Sequence, residues 1–112
     1  MEKLSTEELR TIFTNYCIFK KIPVCLPLHG SEWDLLIMHQ NKWQTVKCIW
    51  TSYKGTTKGF IASIQRRKGI ILADLYFVFT SDKTTFLIPK NTFSGTRIIT
   101  STHPHHRLHH VY

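Results

Sequence analysis

The chain has 112 residues, which allows one domain around a single core, spanning 1–112, and leaves no room for a separate recognition domain beside it. Fifteen Lys and Arg against seven Asp and Glu give a formal charge of +8, which favours a polyanionic partner such as nucleic acid. No apolar run reaches the roughly 18 residues of a membrane span, and the start of the chain, 1–8, is polar and acidic, so neither membrane insertion nor secretion is expected.

In chain order, Ser5 with Glu8 three residues on is a capping box, and Leu4 with Leu9 has the spacing of a hydrophobic staple. A helix is therefore predicted from Ser5 to about Phe19 or Lys20, with Leu9, Ile12, Phe13, Tyr16 and Cys17 as its buried stripe. Glu7 points to solvent. Glu8 lies at the edge of the stripe and is read two ways, as a cap alone or as an acid reaching a site beside a sheet. Residues 22–27, interrupted by Pro23 and Pro27, form an edge strand or extended connection, and His29 follows in the loop 28–31.

Residues 33–50 form two strand-like runs rich in Ile, Leu, Val and Trp around the polar turn 39–42. Alternation puts Trp43, Thr45, Lys47 and Ile49 on one face of the second run, and Gln44, Val46, Cys48 and Trp50 on the other. Asp34 and Lys47 thus stand where a packed sheet resists charge, and the hairpin is read as the carrier of an active site. The next segment, 51–59, is small, hydroxylic and basic. Its Lys54, Thr56, Thr57 and Lys58 suit contact with phosphates. A strand is predicted at 60–65, followed by a turn carrying Arg66, Arg67 and Lys68, a second candidate contact with a nucleic-acid backbone.

The most apolar run, 70–79, is predicted as one central strand, with 84–89 returning as its hairpin partner. Asp74 inside that run requires a partner, because a lone buried carboxylate is costly. Residues 96–101 look like a last short strand. The His-rich stretch 103–110 matches no closed zinc site and reads as a solvated tail or one laid along DNA. Cys17, Cys25 and Cys48 lie in apolar surroundings without a CxxC pair and read as reduced, buried thiols of an intracellular, cytoplasmic protein associated with DNA or the nucleoid.

Asp34, twelve residues, and then Lys47 closing Thr45-Val46-Lys47 resembles the PD-(D/E)XK nucleases. The order of segments, a first helix with Glu, Pro27, 32–37, 45–47, 73–79 and 85–89, resembles the small branch that contains intron-encoded homing endonucleases. The resemblance implies an α/β (α+β) fold with a restriction-endonuclease-like core, a mixed β-sheet with the N-terminal helix packed on it. It also implies an endonuclease, dependent on Mg2+ or Mn2+, that hydrolyses phosphodiester bonds in double-stranded DNA. By the same resemblance Asp34 is a metal ligand, the Val46 carbonyl another, Glu8 completes the site, and Lys47 orients or activates the attacking water. Thr45 departs from the pattern, since the family places Asp, Glu or sometimes Gln there. That departure motivates the alternative of a catalytically degenerate DNA-binding module. The small size implies a homodimer or higher oligomer, whose two-fold symmetry addresses both strands of a target.

Overall fold

A computed structural model describes residues 2–27, 32–67 and 70–111, with the backbone alone at Arg66 and Arg67. Helix α1 (Thr6–Phe19) starts as the capping box requires: the Ser5 side chain accepts the Glu8 N–H at 3.1 Å and Glu8 Oε1 accepts the Ser5 N–H at 3.0 Å. Leu9, Phe13 and Cys17 form its buried stripe, and Ile12 and Tyr16 pack beside them. Strand β1 (Val24–Cys25) follows at a sheet edge. The predicted hairpin is present as β2 (Leu35–His39) and β3 (Lys42–Thr51). Gln40 and Asn41, at φ 53° and 65°, make the turn, a left-handed pair that matches the twist of two-residue hairpins.

Next come β4 (Ile61–Ser63), then β5 (Arg66–Arg67) and β6 (Ile70–Ile71), which pair with each other, then β7 (Leu75–Thr80) and β8 (Thr85–Pro89). β9 (Arg97–Ile99) pairs with β4, and β10 (Arg107–Leu108) pairs with β8. The main sheet has the order β1-β2-β3-β7-β8-β10. It is mixed: β3 and β7 run parallel, and its other neighbours are antiparallel. The fold is thus α+β, with one helix packed on a mixed sheet.

All six residues of β7 are buried, since both faces of the sheet are covered there, and this explains an apolar run without alternation. On the helix side Leu9, Phe13 and Cys17 pack with Leu35, Ile37, Val46, Cys48, Leu75, Phe77 and Phe79, and the Phe13 and Phe77 rings stack at 4.5 Å. On the other side Tyr76, Val78, Phe86 and Ile88 pack with Ala62 and Ile98 from the small β4–β9 layer and with Ile64 and Ala73 from the connections beside it.

Three expectations are corrected. The run 70–79 is not one strand. Ile70 and Ile71 belong to β6, and β7 starts at Leu75, where β3 first offers a parallel partner in Val46. The His-rich end is not a solvated tail: Leu108 and Val111 pack on the helix-side core, β10 extends the sheet, and His103 is buried. Cys25 is exposed, because it lies on the edge strand, while Cys17 and Cys48 are buried.

Candidate active site

Leu35 opposite Val46 is the last formal pair of the β2–β3 ladder at this end, and the same register places Asp34 opposite Lys47. Asp34 keeps the ladder going by one more bond, since its N–H donates to the Val46 carbonyl at 2.7 Å. Beyond that point β2 has no backbone left to offer, and the Cys48 N–H donates instead to Asp34 Oδ2 at 2.7 Å. The carboxylate therefore extends the ladder by one side chain, which accounts for an acid only 7 % exposed. Its other oxygen, Oδ1, faces Arg10 Nη2 at 3.6 Å. Lys47, half-buried on the face away from the helix, donates from Nζ to the Glu32 carbonyl at 2.9 Å. Residues 32–34, which carry the carboxylates of Glu32 and Asp34, thus gather two cations, and of this group the sequence pointed to Asp34 and Lys47.

Arg10 was not anticipated, since a charged residue beside an apolar stripe is ordinarily a solvated one. The only signal was its position one residue past Leu9, on the flank that overlies the sheet edge. The charges of this group converge on Cys48. Burial pushes the Cys48 thiol well above its ordinary range, the Asp34 carboxylate pushes the same way, and Arg10 and Lys47 oppose them. Burial likewise pushes the Cys17 thiol up to about 11. Both thiols are thus protonated near neutral pH and serve as core atoms rather than nucleophiles.

Thr45 stands two residues back along β3 and is committed elsewhere. Its N–H and hydroxyl both donate to Asp74 Oδ2, at 3.0 and 3.1 Å, and the hydroxyl accepts the Asp74 N–H at 3.0 Å. Lys90 Nζ lies 3.2 Å from Asp74 Oδ1. Burial would raise the Asp74 pKa, but the bonds from the Thr45 N–H, Lys90 and the Thr45 hydroxyl outweigh it and hold the carboxyl below its ordinary value. Asp74 has therefore found the partners its apolar surroundings demand. Beyond this pair a polar cleft of about 590 Å³ opens along His39, Gln44, Asp74, Lys90 and His106. It holds neither Asp34 nor Lys47.

Glu8 is exposed, and its carboxylate accepts the Ser5 N–H; the helix residue that meets Asp34 is Arg10. A divalent ion of the Mg2+ type needs several oxygen donors at once. Here Asp34 Oδ2 holds Cys48, Oδ1 faces Arg10, the Val46 carbonyl holds the Asp34 N–H, the Thr45 hydroxyl is shared with Asp74, and Glu8 caps its helix. Among the described residues no three His, Cys, Asp or Glu converge to hold a metal ion. As arranged, these donors do not fit the ion.

Of the basic loop, Lys54, Thr56 and Lys58 are exposed, and the Lys54 ammonium lies 4.8 Å from the centre of the Phe60 ring. The Thr57 hydroxyl is spent inside the turn, on the carbonyls of Lys54 and Gly59. Arg66 and Arg67 form β5, their side chains lie outside the described structure, and His29 and Lys68 lie outside the described residues.

No family model matches the chain, and no curated protein matches it. Among solved structures it is similar to a bacterial homing endonuclease, I-Ssp6803I, with a TM-score of 0.67 and 16 % identity, over 88 % of this chain and 73 % of that one. At that identity the likeness is one of fold: the helix and mixed sheet described above are the architecture of that endonuclease. No described helix is long and apolar enough to cross a membrane.

Proposed function

We propose that the chain is an endonuclease that cuts double-stranded DNA, of the PD-(D/E)XK type and the site-specific homing kind, with Asp34 and Lys47 at the cleavage site. The observation that carries this reading is the β2–β3 register, which sets Asp34 opposite Lys47 where the ladder runs out. The shared fold with a homing endonuclease supports it. So does the +8 charge, with exposed Lys54, Thr56 and Lys58 available to a phosphate backbone. On this reading the Lys47 ammonium leaves the Glu32 carbonyl to orient the attacking water or steady the charge that develops on the phosphoryl oxygens. Asp34, pinned by the Cys48 N–H, keeps a fixed negative charge beside it. Paired copies of the chain, as a homodimer or higher oligomer, would bring one such site to each strand, and the protein would work inside the cell on its DNA.

The test is incubation of the purified protein with supercoiled plasmid and with long genomic DNA, in Mg2+ and separately in EDTA. Nicked or linear product in Mg2+ is expected, and the EDTA arm reports whether the ion is needed. A second reading, a DNA-binding module that has lost cleavage, is favoured by one observation: the oxygens of Asp34, Val46, Thr45 and Glu8 that the ion would take are each engaged by another group. Duplex binding without product from either DNA would establish it in place of the first.

A further inference from the structure

We propose that Arg10 is a phosphate-binding residue of this site, parked on Asp34 until DNA draws it away; the ligand assigned rests on the endonuclease reading above. The two oxygens of Asp34 are held very differently. Oδ2 makes a 2.7 Å bond to the Cys48 N–H, whereas Oδ1 meets Arg10 Nη2 at 3.6 Å, too far for a hydrogen bond. Arg10 Nε is buried and finds no acceptor among the described residues. The guanidinium is therefore held by charge alone, with its donors unspent. A planar fork of that kind is matched by the non-bridging oxygens of a phosphodiester, which accept two parallel N–H bonds.

The surroundings agree. The Arg10 side chain is 34 % exposed and borders a shallow hollow with Thr11, Thr14, Asn15 and Leu26. Arg10 and Lys47 both act on the Cys48 thiol, so a phosphate received by one cation has a second within reach of its charge. The Arg10 side of the pair is 34 % exposed and the Asp34 side 11 %, and at 3.6 Å the two share no hydrogen bond that a phosphate would have to break.

Duplex affinity measured in EDTA over a series of salt concentrations tests this, for wild type, Arg10→Gln and Arg10→Lys, with a thermal melt of each protein. Arg10→Gln should bind duplex several-fold more weakly at low salt and lower the log–log salt slope by about 0.9, the share of one phosphate contact. Arg10→Lys should keep the slope and lose a smaller part of the affinity. An Arg10→Gln protein that melts cooperatively yet binds with the wild-type slope overturns the proposal. If Arg10→Gln does not fold, Arg10→Lys decides, with reduced affinity at constant slope in support and unchanged affinity against. A wild type that binds duplex but cuts none refutes the endonuclease reading while the slope still decides Arg10. A wild type that binds no duplex overturns both.

Discussion

Asp34 and Asp74 act alike on opposite flanks of β3. Each accepts a strand N–H that the neighbouring strand starts too late to take, Cys48 on the β2 side and Thr45 on the β7 side. What separates them is the company they keep: Asp34, 11 % exposed, faces Arg10 without a hydrogen bond, whereas Asp74, 36 % exposed at the edge of the cleft, is bonded to Thr45 and paired with Lys90. Asp34→Asn keeps an oxygen for the Cys48 N–H and removes only the charge, and Lys47→Ala removes an ammonium held by one carbonyl. Both should fold and bind duplex while cleavage is abolished, as read by melts, binding and plasmid nicking together; wild-type cutting by both would put the site elsewhere. Thr45→Val should cost about 1–3 kcal/mol in denaturant unfolding, because Asp74 loses a donor and its own N–H loses an acceptor. Thr45→Glu, which sets a second carboxylate against Asp74, should lower the melting temperature as well. Asp34 and Lys47 were legible as charges where a sheet resists them, and so was Asp74's need for a partner. The identity of that partner was not, because it depends on a parallel pairing across 29 residues of chain. Arg10 was illegible for the same reason: its meaning comes from the sheet edge beneath it.

At the scale of elements, local chemistry was the readable part. The capping box, the Gln40–Asn41 turn and the alternation of β3 all follow from neighbours in sequence. Pairings between distant segments were not readable, so the run 70–79 hid its break at 72–74 and the His-rich end hid a strand carrying Leu108. The basic loop 51–59 is a built element rather than a loose one. Thr57 ties its turn to Lys54 and Gly59, and Phe60 donates its N–H to Thr100 Oγ1 at 2.9 Å. A Cβ on Gly59 would stand 2.5 Å from the Ser101 backbone nitrogen and 2.9 Å from Thr100 Oγ1, with no flexible side-chain tip to yield at the first contact. Gly59→Ala should therefore destabilise the fold by about 1–3 kcal/mol, the usual cost of overpacking, measured by denaturant midpoint. Lys54→Ala with Lys58→Ala leaves that framework and removes two exposed charges. The double variant should weaken duplex binding and flatten its salt slope by about two contacts' worth, and an unchanged slope would move the DNA path off this loop.

For the whole molecule, the strap formed by residues 103–108 closes the sheet, and the fold opposes protonation of His103 within it and of His39 at the end of β2. Burial first, and the charge of His106 second, hold both His39 and His103 below the ordinary value of 6.5. The His103 and His106 rings lie 6.0 Å apart, and the His39 ring nitrogen Nδ1 is 3.4 Å from Gln44 Nε2. Between pH 6.5 and those lowered values the unfolded chain binds protons that the folded chain declines, so stability falls as pH drops through this window. The carboxylates act lower down. Burial would raise Asp74 and Asp82, but hydrogen bonds outweigh it, from Thr45 and Lys90 in one case and from Thr80 and Thr84 in the other, and both sit below 3.8. Their contribution is complete above 3.8 and is lost as pH falls through the folded values. The melting temperature plotted against pH should consequently descend twice, first from near 6.5 and again below 3.8. His39→Gln with His103→Gln should flatten the upper descent and leave the lower one, because an amide takes up no proton. Should the upper descent persist in that double variant, groups other than His39 and His103 control it.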